Sequence, residues 1–176
     1  VLKESIAAAN YQLYEKASED IHLSGMGTTL VAAVYQAGVL YVANVGDSRL
    51  YLVGKEIRQI TRDHSYVEEM VALGRMDRGS ADYLRNKNII TRAVGTAPEV
   101  NVDFFEAEVE PGQVFLLCSD GLSNMVENTT IQKIIKNAPS LGAAARILVG
   151  KANASGGADN ISVVLVRPEE SGVRAC

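Results

Sequence analysis

Between residues 28 and 61 the chain strings together four short β-branched or aromatic runs: TTLVAAVY (28–35), VLYVANVG (39–46), RLYLV (49–53) and IRQIT (57–61). Only QAG, DS and GKE separate them, and each separator holds turn formers. Two or three residues can reverse a chain. They cannot carry it back over a sheet to a parallel neighbour, which takes roughly a dozen residues or more. The segment therefore predicts an antiparallel meander, with GDSR (46–49) as a tight hairpin turn, and it argues against βαβ units.

Helical periodicity appears on either side of this core. Leu2, Ile6, Ala9, Leu13 and Ala17 fall on one face of a helix over residues 1–20. Ser65 with Glu68 spells a capping box for the helix YVEEMVALG, and Gly74 is placed to end it. Residues 75–88, RMDRGSADYLRNKN, are polar and aperiodic apart from a short turn around SADYL, and read as an exposed, mobile excursion. Strands resume with NIITRAVG (88–95), VNVDFFEAEV (100–109) and QVFLLCSD (113–120). Two further helices are expected. One starts near Thr129 with Gln132 in the box position, and one starts near Ser140; they carry Ile131, Ile134, Ile135 and then Leu141, Ala144, Leu148. NISVVLVRP (160–168) is the last strand, and the final residues read as a loose tail. Helices at both ends and antiparallel strands between them make an α+β architecture with helices covering sheet faces.

Composition bounds the function. With 47% hydrophobic residues among 176, the chain can bury a core, and its net charge of −4 gives no global field for nucleic acid or an anionic membrane. No apolar run is long enough to cross a bilayer as a helix, and a soluble, cytoplasmic domain is expected. Cys118 lies in the apolar run VFLLC and reads as a buried core thiol; with Cys176 it forms neither a C-x-x-C pair nor a disulfide framework. The chain opens on Val1, already inside the helical pattern, as a piece of something longer would.

Three aspartates sit where a strand meets a loop. Asp47 follows VANVG, Asp120 follows QVFLLCS, and Asp159 precedes NISVVLV. A carboxylate at a buried strand end is costly to desolvate unless something positive compensates it. A hard divalent cation would do so, because Mg²⁺ and Mn²⁺ prefer oxygen ligands. The same GD, DG and ADN sequences are also ordinary turn chemistry, in which Asp bonds its own backbone. Residue types alone leave both readings open.

The order of the segments adds to this. GMGTTLVAAV (25–34), VANVGDSRLYLV (42–53), TRDHS (61–65), ITRAVG (90–95), LLCSDGLSNMV (116–126) and ADNISVVLV (158–166) together resemble the PPM family of metal-dependent protein serine/threonine phosphatases, in its bacterial form. The resemblance covers residues 1–167 as one domain, with 168–176 left as a flexible tail. It implies a sandwich of two antiparallel β-sheets flanked by helices, and a phosphatase that hydrolyses phosphoserine and phosphothreonine with a metal-activated water. By the same resemblance, Asp120 and Asp159 match ligands of a Mn²⁺ or Mg²⁺ pair, and Asp47 matches an acid that helps hold a third metal. Residues 75–88 match a flap beside the active site, where Tyr83 aligns near the position at which some relatives place a small polar partner of that third metal.

The family opens with a DG-x-GG motif whose aspartate bridges the metal pair, and no such motif occurs here; SGMGTT (24–29) lacks the aspartate. The chain is thus expected to lack the N-terminal strands of the sandwich, to turn over weakly or not at all alone, and to self-associate through exposed sheet edges. The implied partners are phosphoserine and phosphothreonine proteins opposing a serine/threonine kinase, with no nucleic acid and no membrane. A sporulation- or stress-type phosphatase acting on a small anti-anti-sigma partner is a less fitting branch. A non-catalytic phosphatase-like binding or regulatory module is the alternative from another class. Arg49 is expected in a structural ion pair. His64 is expected to bond backbone or a carboxylate without acting catalytically, and His22 is expected to be exposed.

Overall fold

The computed structural model describes residues 1–168; the expected tail lies outside them but for Pro168. The elements, in order, are α1 (Leu2–Glu19), a 3-10 turn (Ile21–Leu23), β1 (Leu30–Gln36), β2 (Val39–Val45), β3 (Arg49–Val53), β4 (Ile57–Gln59), α2 (Tyr66–Ala72), α3 (Ala81–Asn86), β5 (Asp103–Glu108), β6 (Val114–Cys118), α4 (Asp120–Ser123), α5 (Asn128–Asn137), α6 (Leu141–Ala154) and β7 (Val163–Val166). They form two antiparallel sheets with flanking helices, as the α+β reading expects. One sheet has the order β1-β2-β5 and the other β4-β3-β6-β7. Among the described residues, no helix is long and apolar enough to cross a membrane.

The strand order corrects the meander. β2 and β3, though parted by only three residues, lie in different sheets, so GDSR is a corner between sheets and not a hairpin turn. Turn-forming residues say that the chain bends; which neighbour each strand then finds depends on partners distant in sequence. The segment 88–95 is corrected for a similar reason. It forms only isolated bridges, Ile90 to Ser65 and Val94 to Thr28, because its two ends pair with different segments.

By backbone contacts the chain divides into two compact units. The first comprises Val1–Ala33, Val42–Ser48 and Thr61–Phe105. In it α1 buries Ile6 and, unexpectedly, Asn10. The Asn10 amide donates to Ala97 O (2.9 Å) and Pro98 O (3.0 Å) and accepts from Gly95 N (2.8 Å). A buried amide so satisfied adds a polar clamp to an otherwise apolar helix face. Ser65 caps α2 by accepting from Glu68 N, and Gly74 follows at φ +67. The box is only half formed, because the Glu68 side chain turns instead to the excursion. There it accepts from Tyr83 Oη (2.8 Å) and from Arg78 Nε (3.2 Å) and Nη2. Within that excursion SADYL becomes α3, capped by Ser80.

The second unit comprises Val34–Tyr41, Arg49–Ile60 and Glu106 onward. β3 pairs β6 from Arg49↔Cys118 to Val53↔Val114, and β6 pairs β7 from Phe115↔Val166 to Cys118↔Val163. The inward residues Tyr51, Leu116 and Cys118 pack with Leu122, with Ile131 and Ile135 of α5, and with Ala144, Leu148 and Ala152 of α6. Cys118 is a buried thiol, as expected. Each fully buried Leu or Ile contributes about 2 kcal/mol by leaving water. Ser140 caps α6 by accepting from Ala143 N, as its spacing predicts. α5 departs from expectation: it begins at Asn128 without a side-chain cap. Gln132 instead donates to Gly54 O (3.2 Å) and Lys55 O (2.6 Å), tying α5 to the turn between β3 and β4.

Candidate functional site

Two of the three singled-out aspartates, Asp120 and Asp159, belong to the second unit, one just after β6 and the other on the chain that leads into β7. Cys118 pairs with Val163 at one end of the β6–β7 ladder, so the chain leaving β6 and the chain entering β7 meet beyond that pair. Ser119 joins them three times: its N–H donates to Ser162 O (3.2 Å), its Oγ donates to Asn160 O (3.1 Å), and its Oγ accepts from Ser162 N (3.0 Å). Gly121 closes the approach. A β-carbon there would fall 2.3 Å from Asn160 O and 3.0 Å from Asn160 C, a distance that only glycine permits.

The short helix α4 was missed in the sequence because strand and turn signals meet there. It makes Asp120 a first-turn residue instead of a bare strand end, and Asn124 Nδ2 donates to Asp120 Oδ2 (3.1 Å). Asp159 is exposed and accepts from the N–H of Asn160 (2.7 Å), which is the local turn chemistry that competes with ligation. Each carboxylate still has lone pairs beyond these bonds.

Asp47 belongs to the first unit. It follows Gly46, which adopts φ +100 and lies so near Thr29 that a β-carbon would fall 2.4 Å from its Cγ2. Thr29 Oγ1 and Ser48 Oγ share a hydrogen bond (2.9 Å). His64 is 4% exposed. Its N–H donates to Gly46 O (2.9 Å), while its Nδ1 accepts from Gly46 N (3.1 Å). Asn44 Nδ2 adds bonds to Gly46 O (3.2 Å) and Arg62 O (3.0 Å). TRDHS thus braces the GDSR corner.

The ring tautomer is assigned from these partners. With Nδ1 accepting, Nε2 carries the hydrogen and donates to Asp103 Oδ2 at 3.1 Å. Arg92 Nη1 lies 3.3 Å from Nε2, a contact between two donors; its hydrogen bond goes to Asp103 Oδ1 at 2.8 Å. Burial pushes the Asp103 carboxyl up, but hydrogen bonds from His64 and Arg92, with the positive charge beside it, outweigh this and hold it below the usual carboxylate range. His64 therefore bonds both backbone and a carboxylate, as expected of it. Asp103 and Arg92 had no signal in the sequence: one reads as a polar strand position, the other as one cation among several. Arg49 donates to Tyr51 Oη (3.0 Å), and His22 is exposed as expected.

The oxygen donors Asp120 and Asp159, held by rigid backbone, suit a hard cation in kind. In number they form part of a coordination sphere. Among the described residues, no group of three or more His, Cys, Asp and Glu side chains is placed to hold a metal. These residues fit such an ion as contributors to a site that water or further ligands complete.

Comparison with known proteins bears on this arrangement. A family model described as protein phosphatase 2C matches residues 2–148. Serine/threonine phosphatase stp of Listeria welshimeri is 43% identical over 94% of this chain and 66% of its own. The crystal structure of serine/threonine phosphatase Stp1 from Staphylococcus aureus superposes with a TM-score of 0.90 at 34% identity, covering 96% of this chain and 66% of that one. The catalytic domain of serine threonine protein phosphatase PstP, solved in complex with 2 manganese ions, superposes with a TM-score of 0.82 at 33% identity, covering 93% and 68%. The chain spans just under two thirds of the length of the Listeria relative.

Proposed function

The chain belongs to the protein phosphatase 2C, or PPM, family, and we propose that it provides part of the metal-binding centre of a bacterial-type serine/threonine protein phosphatase. One observation carries the proposal: Gly121 and Asn160, the residues that follow Asp120 and Asp159, meet backbone to backbone. In this reading Asp120 and Asp159 hold Mn²⁺ or Mg²⁺, and Asp47 helps hold a third ion. The 2 manganese ions of the PstP structure support that choice of metal. When bound, such ions supply Lewis acidity and a water of lowered pKa. The chain's own part is to orient the carboxylates. Ser119 and Gly121 fix the backbone on either side of Asp120 against Asn160, the residue after Asp159, and Asn124 steers the Asp120 carboxylate through one oxygen.

The substrates are phosphoserine and phosphothreonine proteins, in opposition to a serine/threonine kinase, in the cytoplasm. β7 is an edge strand with Val164 and Val166 exposed, which supports self-association through that edge. Two carboxylates bind a hard cation weakly, and the sequence holds no DG-x-GG aspartate. The chain alone therefore turns over slowly or not at all.

The test is hydrolysis of a phosphothreonine peptide with Mn²⁺, by this chain and by the chain extended with a family segment carrying DG-x-GG. Turnover in the extended form that is lost on Asp120→Asn supports the phosphatase reading. Absence of turnover in both forms, with phosphopeptide binding retained, favours a non-catalytic phosphatase-like module, for which the missing aspartate is the motivating observation.

A further inference from the structure

The reading of Asp47 as a ligand does not account for the groups that converge on the residue before it. Gly46 O lies in the peptide plane that leads into Asp47, and Gly46 N lies in the plane before it. The His64 backbone N–H holds the first of these (2.9 Å), and the His64 ring holds the second (3.1 Å). Peptide units are rigid, so orienting the two planes on either side of an α-carbon sets both of its soft dihedrals. His64, eighteen positions away in sequence, thereby holds both planes that flank Gly46, with Asn44 Nδ2 adding a bond to the same Gly46 O, and so constrains the direction in which Asp47 leaves the corner. Glycine is otherwise the residue whose backbone is least committed.

The ring can do this only with Nδ1 unprotonated. Asp103 accepts from Nε2 at 3.1 Å, and Arg92 holds Asp103 through its other oxygen at 2.8 Å. A carboxylate can only accept, so it keeps the hydrogen on Nε2 and leaves the Nδ1 lone pair for Gly46. We propose that His64 is a positioning residue that aims the Asp47 carboxylate through Gly46, with Asp103 and Arg92 selecting the ring tautomer that lets it do so. The metal role of Asp47 within this proposal rests on the reading given under the proposed function; the backbone lock does not.

The tautomer is read directly, without substitution, from the ¹⁵N shifts of the His64 ring in the wild-type chain, with Nε2–H expected. Amide hydrogen exchange of Gly46 and Asp47 reads the lock. His64→Gln should speed Gly46 exchange by about tenfold, the loss of one buried hydrogen bond. His64→Asn, whose Oδ1 can stand in for Nδ1, should restore most of the protection. Asp103→Asn can present an amide N–H to the ring and should move its hydrogen toward Nδ1. Mn²⁺ affinity is then measured in His64→Gln and Asp47→Asn, with a roughly tenfold loss expected in each. A ring with Nδ1–H in the wild type, or unchanged Gly46 exchange in His64→Gln, overturns the proposal. So does a loss of affinity in Asp47→Asn that His64→Gln does not share. Unchanged affinity in Asp47→Asn, with the tautomer and exchange as stated, supports the lock and instead removes Asp47 from the metal site.

Discussion

Gly121 and Asn160 meet backbone to backbone, with room for a hydrogen where any other residue would place a carbon 2.3 Å from a carbonyl oxygen. Neither atom can give way easily, because Asn160 O also accepts from Ser119 Oγ and the adjoining ladder pairs Cys118 with Val163. Gly121→Ala is expected to destabilise the chain by about 2 kcal/mol, as overpacking in a rigid site does. Urea denaturation measures this. An alanine variant of wild-type stability would mean that the two segments separate freely.

Gln132 replaces an expected cap with a long-range tie, donating to Gly54 O and Lys55 O. Gln132→Ala should cost about 1 kcal/mol and leave the helicity of α5 intact. Chemical denaturation followed by circular dichroism separates this from a capping role, which would shorten the helix itself.

Asp103 carries a pH signature. Its carboxyl is held below the usual range in the folded chain, so the folded state favours the ionised form more than the unfolded chain does. The resulting stability is fully present above the unfolded Asp value of about 3.9 and is lost as pH falls through the lower folded value. Asp103→Asn should therefore be less stable than wild type near neutral pH, and the gap should narrow below about pH 4. Urea midpoints for the two proteins across the acid range test the sign; a gap that widens on acidification would refute it.

Glu68 anchors the polar excursion through Tyr83 and Arg78. Its side chain is 12% exposed, against 69% for Arg78, so the Tyr83 hydroxyl is expected to be the more important partner; exposed ion pairs contribute little. Glu68→Ala should raise amide exchange and protease cleavage across residues 75–88 while α2 keeps its Ser65 cap. Arg78→Ala should do so only weakly.

Much of this was legible in the sequence because it depends on neighbours. The helical stripe of α1, the Ser65 and Ser140 caps, the short strands and the turns between them all follow from sterics and hydrogen bonds within a few residues. So does the placement of Asp47, Asp120 and Asp159 in segments that connect to strands, and the motif order was enough to point to the family. What the sequence left undetermined shares one physical cause: it depends on partners far along the chain. GDSR became a corner between sheets because strand pairing is chosen by distant segments. Residues 88–95 were divided between two partners, and Gln132 left its box for a turn 77 or more positions away. His64 could be read as seeking a carboxylate, but only the fold brings it Asp103 from 39 residues on and sets its ring against Gly46. A glycine in the sequence offers freedom at a turn. The tertiary structure decided where that freedom was used up, because the close approaches at Gly46 and Gly121 arise only once remote backbones have been packed together.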